Sequence, residues 1–249
     1  MAASLKLCLP DTEYCRHSFE GWARMRDLVT LLWEPPAQPK RGPRPTLTLE
    51  VIARAGIEAA DADGLAAVTM QRVAESLGVT KMALYRYVSG KAQLLAVTIE
   101  AAVGDPPVLA GAGWRARIEE WAGLLRENWL RHPWLPRATV GDRVMGPREV
   151  GWIECPVAVL AEAGLAGPQQ MDAVLLLCAH VRNTLTGTAS GTQPWTPGDG
   201  SGSLHERLVL RNGDYAAVLA ASRSGRSADN GWRFGLDLIL DGLDRHRGG

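Results

Sequence analysis

Apolar residues along this chain recur mainly at the 3.6-residue period of an amphipathic α-helix. Stretches rich in alanine and leucine dominate, and alternating apolar and polar runs bounded by turn residues, which would indicate strands, are absent. The pattern predicts an all-α protein. The predicted helices cover residues 18–33, 49–60, 70–77, 81–88, 91–103, 114–130, 148–163, 168–189, 204–221 and 231–246.

Two short helices between residues 69 and 89 are joined by a tight turn. Thr69 is suited to cap the first helix, Gly78 to end it with a positive φ, and Thr80 to cap the second. This spacing predicts a helix-turn-helix, whose second helix has an outer face able to enter a DNA major groove about 12 Å wide. The residues on that outer face are Lys81, Met82, Tyr85 and Arg86, with Tyr87 at its edge.

Charge changes this picture once it is counted by segment. The 249 residues carry 27 basic and 27 acidic side chains, so the net charge of zero at first disfavours a nucleic-acid partner. Residues 40–91, however, hold eight basic side chains against five acidic ones, whereas residues 1–39 have a net charge of −1 and the remaining 158 residues one of −2. The positive charge is therefore concentrated on the helix-turn-helix and on the proline-rich segment before it.

Composition and motifs disfavour several other classes of protein. With 46% apolar and 22% charged residues the chain is typical of a globular protein, and no apolar run approaches the roughly 18 residues of a membrane span. The four cysteines form no CxxC pair, so we expect neither a metal nor a cofactor. A convincing signal peptide is also lacking, and a reduced cytoplasmic protein is expected. The motifs GxSxG, HExxH, GxGxxG and the P-loop are absent, which argues against an enzyme.

Residues 48–95 resemble the DNA-binding domain of the TetR family of one-component bacterial regulators. The distinctive parts, in order, are Asp63-Gly64-Leu65, Thr69 before Val73-Ala74, Leu77-Gly78-Val79, Leu84-Tyr85-Arg86-Tyr87 and Lys91. The second half of the chain is similar, more loosely, to tetracycline-repressor-like members through LLRENWLRHPWLPR and GLDLILDGLDRH. The resemblance implies three domains: an N-terminal extension with a basic proline-rich arm (1–45), the DNA-binding domain (46–95), and an effector-binding and dimerisation domain (96–249).

The resemblance also implies roles for individual residues in DNA binding. Lys91 matches the family's phosphate-contacting lysine, and Tyr87 is expected at the DNA backbone as well. Thr69 would cap its helix and direct the N-terminal amides at a phosphate. Arg44, in the basic arm, would enter the neighbouring minor groove. The residues expected to read base edges are Gln71, Lys81, Met82, Tyr85 and Arg86.

By the same resemblance, the second half of the chain would bind a small-molecule effector and form a homodimer through its last two long helices. The chain has nine tryptophans, and several of them are candidates to line a cavity for an aromatic or polycyclic ligand. The alternative is that these tryptophans fill the core and the histidines are paired there. The candidate ligand-site residues are Trp121, Trp129, Trp134 and Trp152, with His132, His180, Asn183 and Thr184 as polar partners.

The leading hypothesis is a ligand-responsive, sequence-specific transcriptional regulator that binds double-stranded DNA as a homodimer. In this family such a protein is usually a repressor, released from a palindromic operator by a small molecule. Two alternatives stay open: an all-α enzyme, and an interaction protein whose helix-turn-helix no longer binds DNA. Residues 1–24 show no family likeness, which raises the further hypothesis that translation starts at Met25 rather than Met1.

Overall fold

The structure is a computed structural model, and it describes residues 25–34, 47–141, 143–189, 202–222 and 228–247. These residues form helices joined by turns and loops, with no strand among them, so the predicted all-α class is confirmed. The helices are α1 (residues 25–33), α2 (Leu49–Asp63), α3 (Met70–Ser76), α4 (Lys81–Tyr85), α5 (Lys91–Val103), α6 (Gly113–Arg131), α7 (Leu135–Ala138), α8 (Pro147–Glu162), α9 (Gly167–Ala189), α10 (Gly202–Leu210), α11 (Asn212–Ser222) and α12 (Ala228–Arg245), with a 3₁₀ turn at Leu65–Ala67.

Threonine side chains set the beginnings of α2, α3 and α4. The hydroxyl oxygens of Thr48, Thr69 and Thr80 each accept a backbone N–H three residues ahead, at 3.2, 3.2 and 3.3 Å. Gly78, with a φ of +64°, follows the last turn of α3. The predicted threonine caps and the predicted glycine stop are therefore confirmed. They stabilise the helices because they satisfy backbone groups that a helix end leaves unpaired.

Packing divides the chain into two compact units, and the first consists of the described residues up to Asp105 together with residues 137–151. Its centre is the crossing of α2 and α5, where Ile52 and Leu94 are fully buried. A Cβ on Gly56 would come within 2.2 Å of the Thr98 hydroxyl oxygen, so the two helices approach closely at this glycine. α3 packs on α2, and α4 packs on α3, which attaches the helix-turn-helix to this centre.

The helix α1 contacts the first unit through its last turn. Leu32 is buried, and Trp33 Nε1 donates a hydrogen bond to the Met145 carbonyl oxygen at 3.0 Å. Met25 and Val29, which share a helix face with Trp33, are exposed. The rest of the predicted first helix, residues 18–24, lies outside the described residues, as does the segment on which the hypothesis of a start at Met25 rests.

The second unit consists of residues 106–136 and the described residues from Trp152 onward. Its long helix α9 packs against both α6 and α12. One face of α9 is buried and another is exposed, as expected for a helix that is apolar on more than one side. The buried residues are Ala173, Val174, Leu177 and Val181, and the exposed apolar ones are Met171, Leu175 and Leu176.

The structure departs from the predicted helices at several points. α2 runs to Asp63 rather than residue 60, and α4 ends at Tyr85 rather than residue 88. The helical region predicted around residues 204–221 consists of two helices, α10 and α11, with a turn at Arg211. The N–H of Arg211 reaches the carbonyl oxygens of both Arg207 and Leu208 at 3.2 Å, so the chain turns within one residue. α7 and the 3₁₀ turn have no counterpart in the prediction, because elements this short show no hydrophobic period.

The two units are defined by packing, whereas the three predicted domains are defined by function. α5 lies wholly in the first unit, and the predicted domain boundary at residue 95 falls within this helix. The functional division at residues 45 and 95 therefore stays a prediction. Across the described residues, no helix is both long enough and apolar enough to span a bilayer.

Candidate nucleic-acid interface and ligand site

The turn between α3 and α4 fixes which side of α4 faces outward. The N–H of Val79 donates to the Ala74 carbonyl oxygen at 3.0 Å, the long bond of a Schellman motif closed by Gly78. Leu84 of α4 and Val88 just after it are fully buried and hold the helix against the first unit. The opposite side of α4 is thereby turned to solvent.

That exposed side carries the side chains predicted to read DNA bases. Met82 is 72% exposed and Tyr85 is 47% exposed, and Lys81 and Arg86 are exposed as well. Neither of the two cations forms an ion pair with a carboxylate anywhere in the described part of the chain. Their charge is therefore not neutralised locally and is available to an anionic partner.

Lys91 is the first residue of α5, and its side chain is exposed. The N–H of Ser89 donates to Gln93 Oε1 at 2.7 Å, which fixes the chain where it enters this helix. Tyr87 is half-buried in the turn between α4 and α5. Lys91 is thus held at the start of α5, six residues after the end of α4.

The remaining predicted DNA contacts differ in their surroundings. The Thr69 hydroxyl oxygen is occupied as a cap, accepting the N–H of Arg72. The Gln71 side-chain amide donates to the Glu75 carboxylate, so it must leave this partner to reach a base. Arg72 itself pairs with Asp63 at 2.5 Å. Arg44 lies outside the described residues.

In the second unit, the four tryptophans proposed to line a ligand cavity are buried. Trp121 is 1% exposed and donates its indole N–H to the Trp152 carbonyl oxygen at 2.8 Å. The ring centroids of His132 and Trp134 lie 6.0 Å apart. Trp129 is covered on one face by the Arg182 guanidinium, 5.1 Å from the ring centroid. The structure thus pairs Trp121 with Trp152 and His132 with Trp134, and it places Arg182 on Trp129. Each of these contacts also suits a packed core.

The other three polar candidates lie on α9. His180 Nε2 is 2.9 Å from the Trp232 carbonyl oxygen, and the two rings are stacked with centroids 5.4 Å apart. A Cβ on Gly235 would come within 2.2 Å of the His180 ring, so α9 and α12 meet closely here. Asn183 is exposed, and the Thr184 hydroxyl donates to the Val181 carbonyl oxygen at 2.9 Å. His180 is thus engaged by α12.

Sequence reasoning missed Arg182 and Trp232, which contact the predicted residues directly. Arg182 Nε donates to the Pro136 carbonyl oxygen at 2.9 Å, in addition to covering Trp129. It is the only charged residue between positions 173 and 189. A lone charge in an otherwise apolar helix is therefore the signal that would have identified it.

A cluster of charged groups in the first unit surrounds the beginning of α8. Glu100 Oε1 accepts the N–H of Arg148 at 2.7 Å, and the Arg148 guanidinium bonds Asp105 at 2.8 Å. Arg143 pairs with the buried Glu149. Burial raises the pKa of Glu100, a shift that the N–H groups of Arg148 and Glu149 oppose.

The comparisons with known proteins agree over most of the chain. The family model described as "Bacterial regulatory proteins, tetR family" matches residues 52–98. The model described as "Tetracyclin repressor-like, C-terminal domain" matches residues 106–247, which is more than half of the chain. The first match contains α3, α4 and the beginning of α5, and the second contains every described residue from 106 to 247.

A curated relative and solved structures extend this similarity. The chain is 31% identical over 231 residues to the HTH-type transcriptional repressor DrrR1 of Streptomyces coeruleorubidus, covering 87% of this chain and 84% of that protein. Its fold is similar to that of ActR of Streptomyces coelicolor in complex with (S)-DNPA, with a TM-score of 0.69, 24% identity, and coverage of 81% of this chain and 99% of that one. For the complex of ActR with actinorhodin, the TM-score is 0.68 at 23% identity, covering 81% and 97%.

Proposed function

The chain belongs to the TetR family of bacterial transcriptional regulators, and from this premise we propose that it is a homodimeric repressor released from a near-palindromic operator by a small molecule. As a member of this family it is a DNA-binding, ligand-responsive regulator. The finer proposal concerns which residues bind the operator, which surface forms the dimer, and which ligand releases the DNA. We also propose that the protein acts in the cytoplasm.

The observation that carries the proposal is the exposed cationic face formed by α4 and the first residue of α5. Lys81, Arg86 and Lys91 lie within eleven consecutive residues, are exposed, and have no carboxylate partner among the described residues. We assign Lys81, Arg86, Met82 and Tyr85 to base edges, and Lys91 and Tyr87 to phosphates. Gln71, Thr69 and Arg44 complete the proposed interface, each as a prediction from the family resemblance.

The proposed dimer surface is the exposed apolar face of α9 and α12. Met171, Leu175 and Leu176 of α9 are 44%, 57% and 52% exposed, and Phe234 and Leu238 of α12 are 68% and 56% exposed. α9 and α12 pack against each other, so these side chains belong to one helix pair. A second copy of the same pair would bury them symmetrically and complete a four-helix interface.

A homodimer also explains how a short recognition helix can be specific. α4 has five residues and presents few side chains, so one copy reads only a few base pairs. Two copies related by a twofold axis would meet successive major grooves about 34 Å apart and read a palindrome. A ligand that favours a different spacing of the two helices would weaken DNA binding by its differential affinity for the two states.

For the ligand we propose a polycyclic aromatic compound bound among the tryptophans of the second unit. ActR, which shares the fold, has been solved with actinorhodin and with (S)-DNPA. The buried indoles of Trp121, Trp129, Trp134 and Trp152 offer flat apolar surfaces, and His132, His180, Asn183 and Thr184 offer polar groups. Opening a cavity here requires some of the observed pairings to separate.

The proposal is tested by binding the full chain to DNA fragments from upstream of its own gene and of the neighbouring genes. We expect one fragment to be retarded in a mobility-shift assay, and a polycyclic aromatic compound to release it at a fixed ratio of ligand to protein. Actinorhodin is the first probe, followed by a panel of aromatic compounds of similar size. A fragment that binds but is released by none of them would contradict the proposed ligand class, while the lack of any bound fragment would contradict operator binding at these sites.

A further inference from the structure

Glu100 connects α5 to the beginning of α8. It lies nine residues after Lys91 on the same helix, a distance of about 14 Å along the helix axis. Its Oε1 atom accepts the N–H of Arg148 at 2.7 Å, and the N–H of Glu149 interacts with the same carboxylate. Glu100 thus satisfies N–H groups that the first turn of α8 would leave unpaired, and its negative charge suits a helix N-terminus.

The residues just before α8 are shaped to admit this carboxylate. A Cβ on the buried Gly146 would come within 2.2 Å of Glu100 Oε2, so a larger residue there would displace the Glu100 side chain. Two further contacts flank Gly146. Trp33 of α1 donates a hydrogen bond to the Met145 carbonyl oxygen, and Arg148 bonds Asp105, which lies two residues after the end of α5. The beginning of α8 is therefore tied to α5 and α1 at adjacent positions.

The stability of the first unit alone does not account for the contact between Glu100 and α8. Glu100 Oε2 is buried and has no hydrogen-bond partner among the described residues. Burying a charged group with part of its hydrogen-bonding capacity unused costs free energy. Part of the stability that the Glu100 cap contributes is therefore offset by this cost, which fits a contact that couples α8 to α5 rather than one that only stabilises the first unit.

α8 belongs to both compact units. Residues 147–151 are part of the first unit, and the helix continues into the second, where the Trp152 carbonyl oxygen accepts the indole N–H of Trp121. A candidate ligand-site residue, Trp152, thus follows Glu149 by three positions in the same helix. Any shift of α8 along or about its axis would change the hydrogen bonds at its first turn.

We propose that Glu100 is a positioning residue that couples α8 to the DNA-contacting end of α5. Through this hydrogen-bonded cap, DNA bound at Lys91 would stabilise the first turn of α8, and a ligand-induced shift of α8 would in turn act on Lys91, because coupling between sites is reciprocal. The inference rests on the proposed function, since it assumes that Lys91 contacts DNA.

The test measures amide hydrogen exchange at Arg148 and Glu149 in the full chain, with and without a DNA fragment that the wild-type protein binds. In the wild type, DNA should slow this exchange by at least about fivefold, the lower end of usual allosteric couplings. Glu100→Ala should bind the fragment but lose the dependence of exchange on DNA. Glu100→Gln keeps an acceptor oxygen and should retain the dependence, as should Glu154→Ala, a matched change at an exposed position of α8.

Gly146→Ala provides a second route, because it displaces the carboxylate without removing it. We expect this variant, like Glu100→Ala, to bind DNA without slowing exchange at Arg148 and Glu149. If Glu100→Ala and Gly146→Ala bind DNA and still show the wild-type slowing, the inference is wrong and the proposed function stands. If the folded wild-type chain binds no DNA, the proposed function fails and the inference fails with it.

Discussion

Lys91 and Arg86 are both exposed cations, but they are assigned to different parts of the DNA. Lys91 begins α5 and is assigned to a phosphate, whereas Arg86 directly follows α4 and is assigned to a base edge. Lys91→Ala should therefore weaken binding to all sequences alike and reduce the salt slope by about one. Arg86→Ala should cost about 1–3 kcal/mol of binding free energy and relax the preference at particular base pairs.

Fluorescence anisotropy distinguishes these outcomes. The operator and its single-base variants are titrated at several salt concentrations with the wild type, Lys91→Ala and Arg86→Ala. Arg54→Ala serves as the control, since Arg54 is exposed on α2 and is not among the residues assigned to DNA. Indistinguishable specificity profiles and salt slopes for the two variants would show that the assignment of roles is wrong.

Glu100 predicts a particular dependence of stability on pH. Burial raises the pKa of Glu100 in the folded protein, so the folded state binds a proton more tightly than the unfolded state does. The stability from this group is then fully present below the ordinary glutamate pKa and is lost as the pH rises through the raised value. Glu100→Gln should consequently gain in free energy of unfolding, relative to wild type, as the pH increases from acid to neutral.

Urea denaturation of the full chain at a series of pH values measures this difference. The Gln variant removes the titrating charge but keeps the acceptor oxygen, so the comparison isolates the proton. Glu154→Gln is the matched control, because it makes the same change at an exposed position of α8. A difference between Glu100→Gln and wild type that is constant across the range would contradict the raised pKa.

At the residue scale, the sequence separated the exposed side chains proposed to contact DNA from the core better than it separated the proposed ligand contacts from the core. Along α4, Leu84 and Met82 have opposite burial because the turn at Gly78 fixes the helix orientation, and that turn has a sequence signal. A buried indole such as Trp121 satisfies the same pattern whether it fills a core or lines a cavity. Its partner, the Trp152 carbonyl oxygen, lacks its helical donor because Pro156, four residues later in α8, has no N–H, and this local signal was not used.

At the scale of elements, helix starts were more predictable than helix ends, since the threonine-capped helices α2, α3 and α4 begin at the predicted residues whereas α2 and α4 end three residues from the predicted ones. α5 has the predicted bounds of Lys91 and Val103, and α6, α8 and α9 begin one residue before and α12 three residues before the predicted starts. α7 and the break between α10 and α11 were not predicted. A four-residue helix, or a one-residue interruption at Arg211, leaves little trace in a period measured over 11–18 residues.

The crossing of α2 and α5 depends on the lack of a side chain at Gly56. An added Cβ would lie 2.2 Å from Thr98 Oγ1, whose hydroxyl is itself fixed by a 2.7 Å hydrogen bond to the Leu94 carbonyl oxygen. In Gly56→Ala, overpacking should lower the free energy of unfolding by about 1–3 kcal/mol. The gain in helix propensity, about 1 kcal/mol, is then cancelled or outweighed.

The matched control for this change is Gly123→Ala, in the interior of α6. A Cβ on Gly123 would meet no atom within 4 Å, so the substitution should retain its helix-propensity gain and stabilise the protein. The free energies of unfolding of both variants are measured by urea denaturation. A Gly56→Ala variant as stable as Gly123→Ala would contradict the close helix crossing.

At the scale of the whole molecule, the exposed apolar face of α9 and α12 predicts dimerisation. Leu175→Glu and Phe234→Glu would each place a charge in the proposed interface, and we expect monomers at concentrations where the wild type is dimeric. Val108→Glu is the control, since Val108 is 93% exposed in a loop of the same unit. Sedimentation velocity gives the oligomeric state, and dimers of all three variants would place the interface elsewhere.

The net charge of zero over the whole molecule conceals an uneven distribution of charge along the chain. Only the segment 40–91 has a basic excess, while the rest of the chain is slightly acidic. A regulator of this kind should attach to DNA through a small part of its surface, with a salt slope set by few phosphates per subunit. The charge of a whole chain is thus a poor guide to its partner when the charged residues are segregated.

Selection of bound sequences from a random pool of double-stranded DNA by the full wild-type chain tests most directly whether α4 reads an operator. Operator reading by the α4 helices of a dimer predicts enrichment of a near-palindrome whose half-site centres are about 10 base pairs, or a multiple of that, apart. A variant with Lys81, Arg86 and Lys91 all replaced by alanine should enrich no sequence. A folded wild-type protein that leaves the pool unenriched, or that selects the same sequences as this triple variant, would contradict the claim that α4 reads an operator.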